Sequence, residues 1–247
     1  MLTQQLIEEF NRDGYVIIRG LYSEKEMEEI KAWTDEVSIY PEVPGKYMMY
    51  YEKSRFDSNR RILSRMEDIE PYHSGFSKLF TGEKMQGAVS ELFGEPAILF
   101  KDKINFKMPG ADGFKAHQDI QAGWNRYADL HITALVSIDP CTPENGCLEL
   151  APGHHKLGFI GESWKPLAED ALDYIPVPTQ PGDAVFFDSY TPHRSKPNNT
   201  NFPRRVLYVT YNRLSEGDHR KQYYADKRMS YPPDCEREPE KEYVFRV

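Results

Sequence analysis

His131-Ile132-Thr133-Ala134-Leu135-Val136-Ser137-Ile138 is an almost unbroken run of β-favouring residues, and the punctuation after it decides the fold. The turn Glu144-Asn145-Gly146 leads into a second short run, Cys147-Leu148-Glu149-Leu150, which Pro152-Gly153 ends. The same rhythm continues in both directions. Ala97-Ile98-Leu99-Phe100 and Ile104-Asn105-Phe106 lie upstream; Ala184-Val185-Phe186-Phe187, entered from the turn Pro181-Gly182-Asp183, and Val206-Leu207-Tyr208-Val209-Thr210-Tyr211 lie downstream. Short strands separated by Gly/Pro turns predict an antiparallel sandwich or barrel. The first third reads differently. Leu2, Leu6, Ile7 and Phe10 recur at helical spacing, and Gly14 closes that helix. Tyr15-Val16-Ile17-Ile18-Arg19 is a short β run, Ser23 with Glu26 forms a capping box, and Met27, Ile30 and Trp33 mark one face of a second helix. A further helix is predicted over residues 77–93, anchored by Leu79, Val89, Leu92 and Phe93 and stopped at Gly94. The class is therefore α+β: a double-stranded β-helix (a cupin-like jelly roll) with the N-terminal helices packed on one sheet, as a single domain over residues 1–247.

Composition narrows the function. The chain has 247 residues, 31 Lys+Arg against 39 Asp+Glu, and a formal net charge of −8. That acidic balance argues against a nucleic-acid partner, which calls for a basic footprint. No apolar run of about 18 residues exists to span a membrane. Residues 1–10 already carry Glu8 and Glu9 and lack a signal pattern. Three cysteines make no disulfide framework, and Cys141 and Cys147 are spaced poorly for zinc. A reducing, cytoplasmic setting, a small-molecule substrate and a monomer or weak homodimer are expected. Residues 40–75, with Tyr47, Tyr50, Tyr51, Arg55, Arg60 and Arg61, read as an ordered loop, either packed on its own aromatics or closing as a lid over a polar substrate. The charged tail after Gly217 reads as a wrapping loop.

The chemistry concentrates in His117-Gln118-Asp119. On a strand, residues i and i+2 share a face, so an imidazole and a carboxylate converge. His193, where a strand runs out into a loop, is the candidate third ligand. Two histidines and one carboxylate leave half an octahedron open, the facial arrangement of non-haem Fe(II) oxygenases. A dicarboxylate cosubstrate then needs a fixed cation, which arginine supplies bidentately. Arg204 and Arg205 open the last strand, and only one of two successive strand residues faces inward. Ser195 is a further candidate donor. His131 reads as core or cavity wall.

These motifs resemble the phytanoyl-CoA dioxygenase superfamily of Fe(II)/2-oxoglutarate oxygenases, which includes ectoine hydroxylase. The resemblance rests on Phe10-Asn11-Arg12-Asp13-Gly14-Tyr15-Val16, on residues 99–107 ahead of the His-x-Asp, on Glu144-Asn145-Gly146 through Pro152-Gly153-His154-His155-Lys156, on Pro181-Gly182-Asp183 and on Thr191-Pro192-His193-Arg194-Ser195. It implies iron ligation by His117, Asp119 and His193, and a 2-oxoglutarate site at Arg204 with Ser195, Asn105 and Lys101. Lys101 stands where the ectoine-hydroxylase branch carries Gln. It also implies substrate contacts from the loop holding Trp124, Arg126 and Tyr127, with Arg61 as a further candidate.

The activity so implied is hydroxylation of an unactivated C–H bond, with Fe(II), 2-oxoglutarate and O₂, releasing succinate and CO₂. The cations and phenols favour a small polar or zwitterionic metabolite, an aminoalkylphosphonate or amino-acid-like compound. The same chemistry on a hydrophobic natural-product intermediate, and a non-catalytic metal-binding jelly roll, are the competing readings. Halogenation is disfavoured, because Asp119 occupies the position that a halide would need.

Overall fold

The computed structural model describes residues 2–243. Its helices are α1 (Gln4–Asp13), α2 (Glu24–Ser38), α3 (Ser74–Phe80), α4 (Ala88–Phe93) and α5 (Arg220–Ser230). Its strands are β1 (Tyr15–Ile18), β2 (Met48–Lys53), β3 (Arg61–Glu67), β4 (Ala97–Lys107), β5 (Phe114–His117), β6 (His131–Ser137), β7 (Leu148–Leu150), β8 (Ile175–Val177), β9 (Ala184–Asp188), β10 (His193–Ser195) and β11 (Arg204–Arg213). A seven-stranded sheet runs β1-β9-β6-β11-β4-β3-β2 and faces a four-stranded sheet, β5-β10-β7-β8. The pairings are antiparallel, the arrangement of a jelly roll.

Alternation along the strands explains the layering. Ile104, Phe106, Ile132, Ala134, Val136, Leu207 and Val209 leave the large sheet on one side and pack with Phe10, Ile30, Phe76, Phe80 and Val89 of the helices. On the other side, Leu135, Val185, Phe187 and Val206 meet Leu148, Leu150 and Val177 of the small sheet. Toward one end this inner face turns polar, and Lys101, Lys103 and Asn105 line a cavity there. Two glycines hold the frame together at close approaches. Gly14 caps α1 at φ +80°, where a Cβ would lie 2.4 Å from Thr191 Oγ1. Gly146 sits at φ +71°, where a Cβ would lie 1.9 Å from the Lys196 carbonyl.

The structure corrects the expectations in four places. Residues 40–75 are mainly not a loop. β2 and β3 pair with each other and extend the large sheet past β4, with Met48, Met49 and Tyr50 buried. The interleaved arginines concealed a β-rich run. The tail after Gly217 forms α5, whose Tyr223 and Tyr224 supply its short apolar face against Phe100 and Trp124. The helix predicted over residues 77–93 is two helices joined by a π-helical turn, Glu83–Gly87. Residues 97–106 form one continuous strand, β4, rather than two.

Candidate active site

β5 ends at His117 and β10 begins at His193, and the antiparallel register sets these residues opposite one another. Their rings lie 4.3 Å apart. Asp119 is not on the strand; it opens a 3₁₀ turn, Asp119–Ala122. The same-face argument from a continuous strand therefore fails for it, and the turn brings its carboxylate round instead. Asp119 Oδ1 lies 3.9 Å from His117 Nε2 and 3.8 Å from His193 Nε2. One ligand atom from each of the three residues lies within 4.8 Å of the others.

The hydrogen bonds choose the ligating nitrogens. His117 Nδ1 is 2.7 Å from the Lys115 carbonyl and His193 Nδ1 is 3.0 Å from the Thr191 carbonyl. A carbonyl only accepts, so each Nδ1 carries the proton and each Nε2 presents a lone pair toward Asp119. Burial pushes His117 down to about 3 and lowers His193 as well, so both rings are neutral. Burial works to raise Asp119, but its neighbours, foremost His193 and His117, hold it below the usual carboxylate range. Thr133 donates to Asp119 Oδ2 at 3.3 Å and is itself 2.9 Å from Thr210. Gln118 anchors the turn: its amide donates to the Gly158 and Tyr190 carbonyls, and its side-chain oxygen accepts from the Ile160 N–H. Two neutral imidazoles and an ionised carboxylate facing one point are a donor set suited to a divalent first-row metal.

Arg204 is fully buried, and among the described residues its guanidinium pairs with no carboxylate; its charge bears on the Tyr208 phenol. Its neighbour on β11, Arg205, points the other way and pairs with Asp139 at 2.7 Å and with Asp35. Lys107 lies near Arg204; burial, then Arg204, lowers its ammonium well below the usual lysine range. Lys107 donates to the Ser195 hydroxyl at 2.7 Å and to the Lys196 carbonyl at 2.6 Å. A buried guanidinium with no carboxylate, beside a second cation, is a place for an anion. Asn105 is buried, and its Oδ1 lacks a partner.

The cavity, of about 420 Å³, opens over the three ligands. Lys101, Trp124, Arg126 and Tyr127 line it, as do Asn105 and Ser195. Arg126 and Tyr127 also hold Asp226 of α5, at 3.2 and 2.6 Å. Arg61 is not brought to this site. It lies half-exposed over the Tyr51 ring, paired with Glu42 at 2.8 Å and Asp234 at 3.3 Å. His131 is buried between Phe100 and Trp124 and does not line the cavity. Sequence reasoning missed Arg65, Glu67, Lys103, Tyr208, Tyr223 and Lys227, all of which line it. Glu67 takes Arg65 at 2.8 Å, Lys227 at 2.5 Å and Lys101 at 3.6 Å. Burial opposes its charge, but Lys101 and Lys227 foremost keep its carboxyl well below the usual range. Lys103 faces the rings of Tyr208 at 4.7 Å and Phe114 at 5.7 Å. Burial, then Lys101, pushes its ammonium down to about 8. The signal for Lys103 was legible: Lys101, Lys103, Asn105 and Lys107 alternate along one strand. Glu67 and Lys227 lay in segments read as loop.

Comparison with known proteins agrees with this geometry. The family model described as phytanoyl-CoA dioxygenase (PhyH) matches residues 10–206. A 2-aminoethylphosphonate dioxygenase of uncultured bacterium HF130_AEPn_1 is 43% identical over 246 residues, covering 98% of this chain and 93% of that protein. A methylphosphonate hydroxylase of Gimesia maris is 43% identical over 234 residues, covering 93% and 88%. Among solved structures, EctD from S. alaskensis with 2-oxoglutarate and 5-hydroxyectoine superposes with a TM-score of 0.75 at 19% identity, over 87% of this chain and 77% of that one, and shares the fold.

Proposed function

The chain belongs to the phytanoyl-CoA dioxygenase family, and from that premise we propose that it hydroxylates a small phosphonate in an Fe(II)- and 2-oxoglutarate-dependent reaction. The observation that carries the reading is the pairing of a neutral His₂–carboxylate set with a cavity wall crowded with cations. His117 Nε2, Asp119 and His193 Nε2 would hold the iron, and the donor set fits it. When bound, the iron with its cosubstrate supplies the oxidising chemistry.

The protein's own part is orientation, charge and exclusion of water. The Lys115 and Thr191 carbonyls fix both imidazoles in the ligating tautomer. Thr133 steadies Asp119 through its second oxygen. Arg204, buried and paired with no carboxylate among the described residues, supplies a bidentate cation for the distal carboxylate of 2-oxoglutarate, with Lys107 raising the local potential and Ser195 at its tip. Trp124 and Tyr223 give the cavity wall aromatic surface beside its cations. The two 43%-identical relatives are named for phosphonate substrates, and an anion of that class suits a cavity where Arg65, Lys101, Lys103 and Lys227 face inward.

The test is succinate release from 2-oxoglutarate with Fe(II) and O₂, with methylphosphonate, 2-aminoethylphosphonate, ectoine and amino acids offered one at a time. Methylphosphonate or 2-aminoethylphosphonate should stimulate release well above the uncoupled rate. Stimulation by ectoine or an amino acid and by neither phosphonate would remove the phosphonate assignment.

A further inference from the structure

The cations of the cavity wall are not equivalent. Arg65, Lys101 and Lys227 share one carboxylate, Glu67. Lys103 is half-buried on the same face of β4 and lines the cavity, and among the described residues it makes no ion pair and no hydrogen bond, only the aromatic contacts with Tyr208 and Phe114. It lines the same cavity as His117, Asp119 and His193. The two carboxylates lining the cavity are otherwise engaged: Glu67 is surrounded, and Asp119 belongs to the ligand set. A partly buried ammonium without an ion-pair partner carries a desolvation cost, and that cost is relieved when a ligand brings an anion. A singly charged ligand would leave most of the positive surplus of this wall uncompensated. A compact group with two negative charges and three acceptor oxygens meets it far better, since it can take Lys103 on one oxygen and face the Glu67 cluster with another.

We propose that Lys103 is the residue that anchors the phosphonate group of the substrate beside the metal site, and that the cation surplus of the wall makes the enzyme select a doubly charged tetrahedral anion over a singly charged one of the same shape. This rests on the phosphonate reading above and adds to it a named anchor and a basis for selection. No unengaged carboxylate among the described residues lines the cavity to pair with an ammonium, so the amino group of 2-aminoethylphosphonate gains no ion pair there.

The experiment is anaerobic calorimetric titration of the Fe(II)- and 2-oxoglutarate-loaded protein with methylphosphonate and with methanesulfonate, a tetrahedral monoanion of nearly the same size. Wild type should bind methylphosphonate about tenfold or more tighter than methanesulfonate. Lys103→Met should weaken methylphosphonate by about tenfold or more and erase most of that preference, as expected for loss of a charged hydrogen-bond donor. Its affinity for 2-oxoglutarate, titrated separately, should stay within about threefold of wild type. Lys103→Arg should recover part of the methylphosphonate affinity, and Lys103→Gln is measured alongside so that a folding defect in one variant does not decide the result. Equal binding of the two probes by wild type would overturn the selection. Unchanged methylphosphonate affinity in all three variants, or a loss confined to 2-oxoglutarate, would overturn the anchor while leaving the phosphonate reading in place. If wild type binds no phosphonate yet binds inorganic phosphate in a Lys103-dependent way, the phosphonate reading falls and Lys103 stands as an anion anchor for another substrate.

Discussion

Two buried cationic regions lie on the same inner face of the large sheet and are built on opposite principles. At one end, Arg65, Lys101 and Lys227 gather round Glu67 at 2.8, 3.6 and 2.5 Å. At the other, Arg204 and Lys107 lie opposite one another on β11 and β4; among the described residues Arg204 pairs with no carboxylate, and Lys107 reaches only neutral oxygens. The first region carries its own counter-ion and belongs to the architecture: it ties β3, β4 and α5 together through one buried carboxylate. The second has no carboxylate of its own among the described residues. The lesson is that buried charge by itself does not mark a binding site; buried charge without compensation does.

The sharpest way to break this contrast is Glu67→Gln. It leaves three cations facing one another in a dry site, and removing one partner of such a network typically costs about 3–5 kcal/mol. Chemical denaturation of the ligand-free protein should show a loss of that order. A loss below about 1 kcal/mol would mean that the cluster is solvated in the folded protein and that the contrast fails.

Arg204→Met asks the opposite question of the other region. Removing an uncompensated buried charge should not lower the stability of the ligand-free protein, and should weaken 2-oxoglutarate binding by about 2–5 kcal/mol. Calorimetry with 2-oxoglutarate and thermal unfolding read the two halves separately. The neighbouring variant Arg205→Met should reverse the pattern, lowering stability through Asp139 and leaving 2-oxoglutarate affinity near wild type. The reverse result at both positions would mean that Arg205, not Arg204, faces the cosubstrate.

Asp188 sharpens the comparison with an uncompensated anion. It is buried at the end of β9, accepts the Tyr190 N–H at 2.6 Å, and burial raises its carboxyl to about 6. A folded-state value above the unfolded one means that its contribution to stability is fully present below about pH 4 and is lost as the pH rises through about 6. Asp188→Asn keeps the acceptor and removes the charge. The variant should exceed wild type by about 1–3 kcal/mol near pH 7.5, and the gain should vanish below about pH 4. A gain that does not change with pH would point to packing rather than charge.

Arg61 provides the smallest effect and the control. It is paired, but half-exposed, so Arg61→Ala should change stability by only about 0.5–1 kcal/mol and leave 2-oxoglutarate and phosphonate binding unchanged. A clear loss of substrate affinity would mean that this surface closes over the cavity in a way the resting structure does not display.

The jelly roll was legible in the sequence because its signals are local. Turn residues such as Asn145-Gly146 and Pro181-Gly182, and β-branched runs such as residues 131–138, act within a few residues of chain. His117, His193 and Arg204 could be singled out because each stands at a fixed distance from such a marker. The cavity's other wall was hidden for the same reason. β2 runs Met48-Met49-Tyr50-Tyr51 into Glu52-Lys53, and β3 interleaves Arg61, Ser64, Arg65 and Glu67 with Ile62, Leu63 and Met66, so the pair reads as surface until a partner strand buries it. α5 is rich in charge, and its few inward residues, Tyr223, Tyr224 and Lys227, show no apolar stripe.

What the sequence by itself determined about this protein was the class of fold, the three residues that converge as a candidate metal site, and the strand that opens on two successive arginines. What only the tertiary structure decided was charge balance: that Arg205 finds Asp139 and Asp35 while Arg204, among the described residues, finds no carboxylate, that Glu67 takes three cations at once, and that Lys103 meets aromatic rings rather than a carboxylate. The reason is physical. A side chain's type and periodicity are written along the chain, but the counter-ion that neutralises it comes from residues distant in sequence, Glu67 to Lys227 across 160 positions, and their pairing exists only once the sheets have closed.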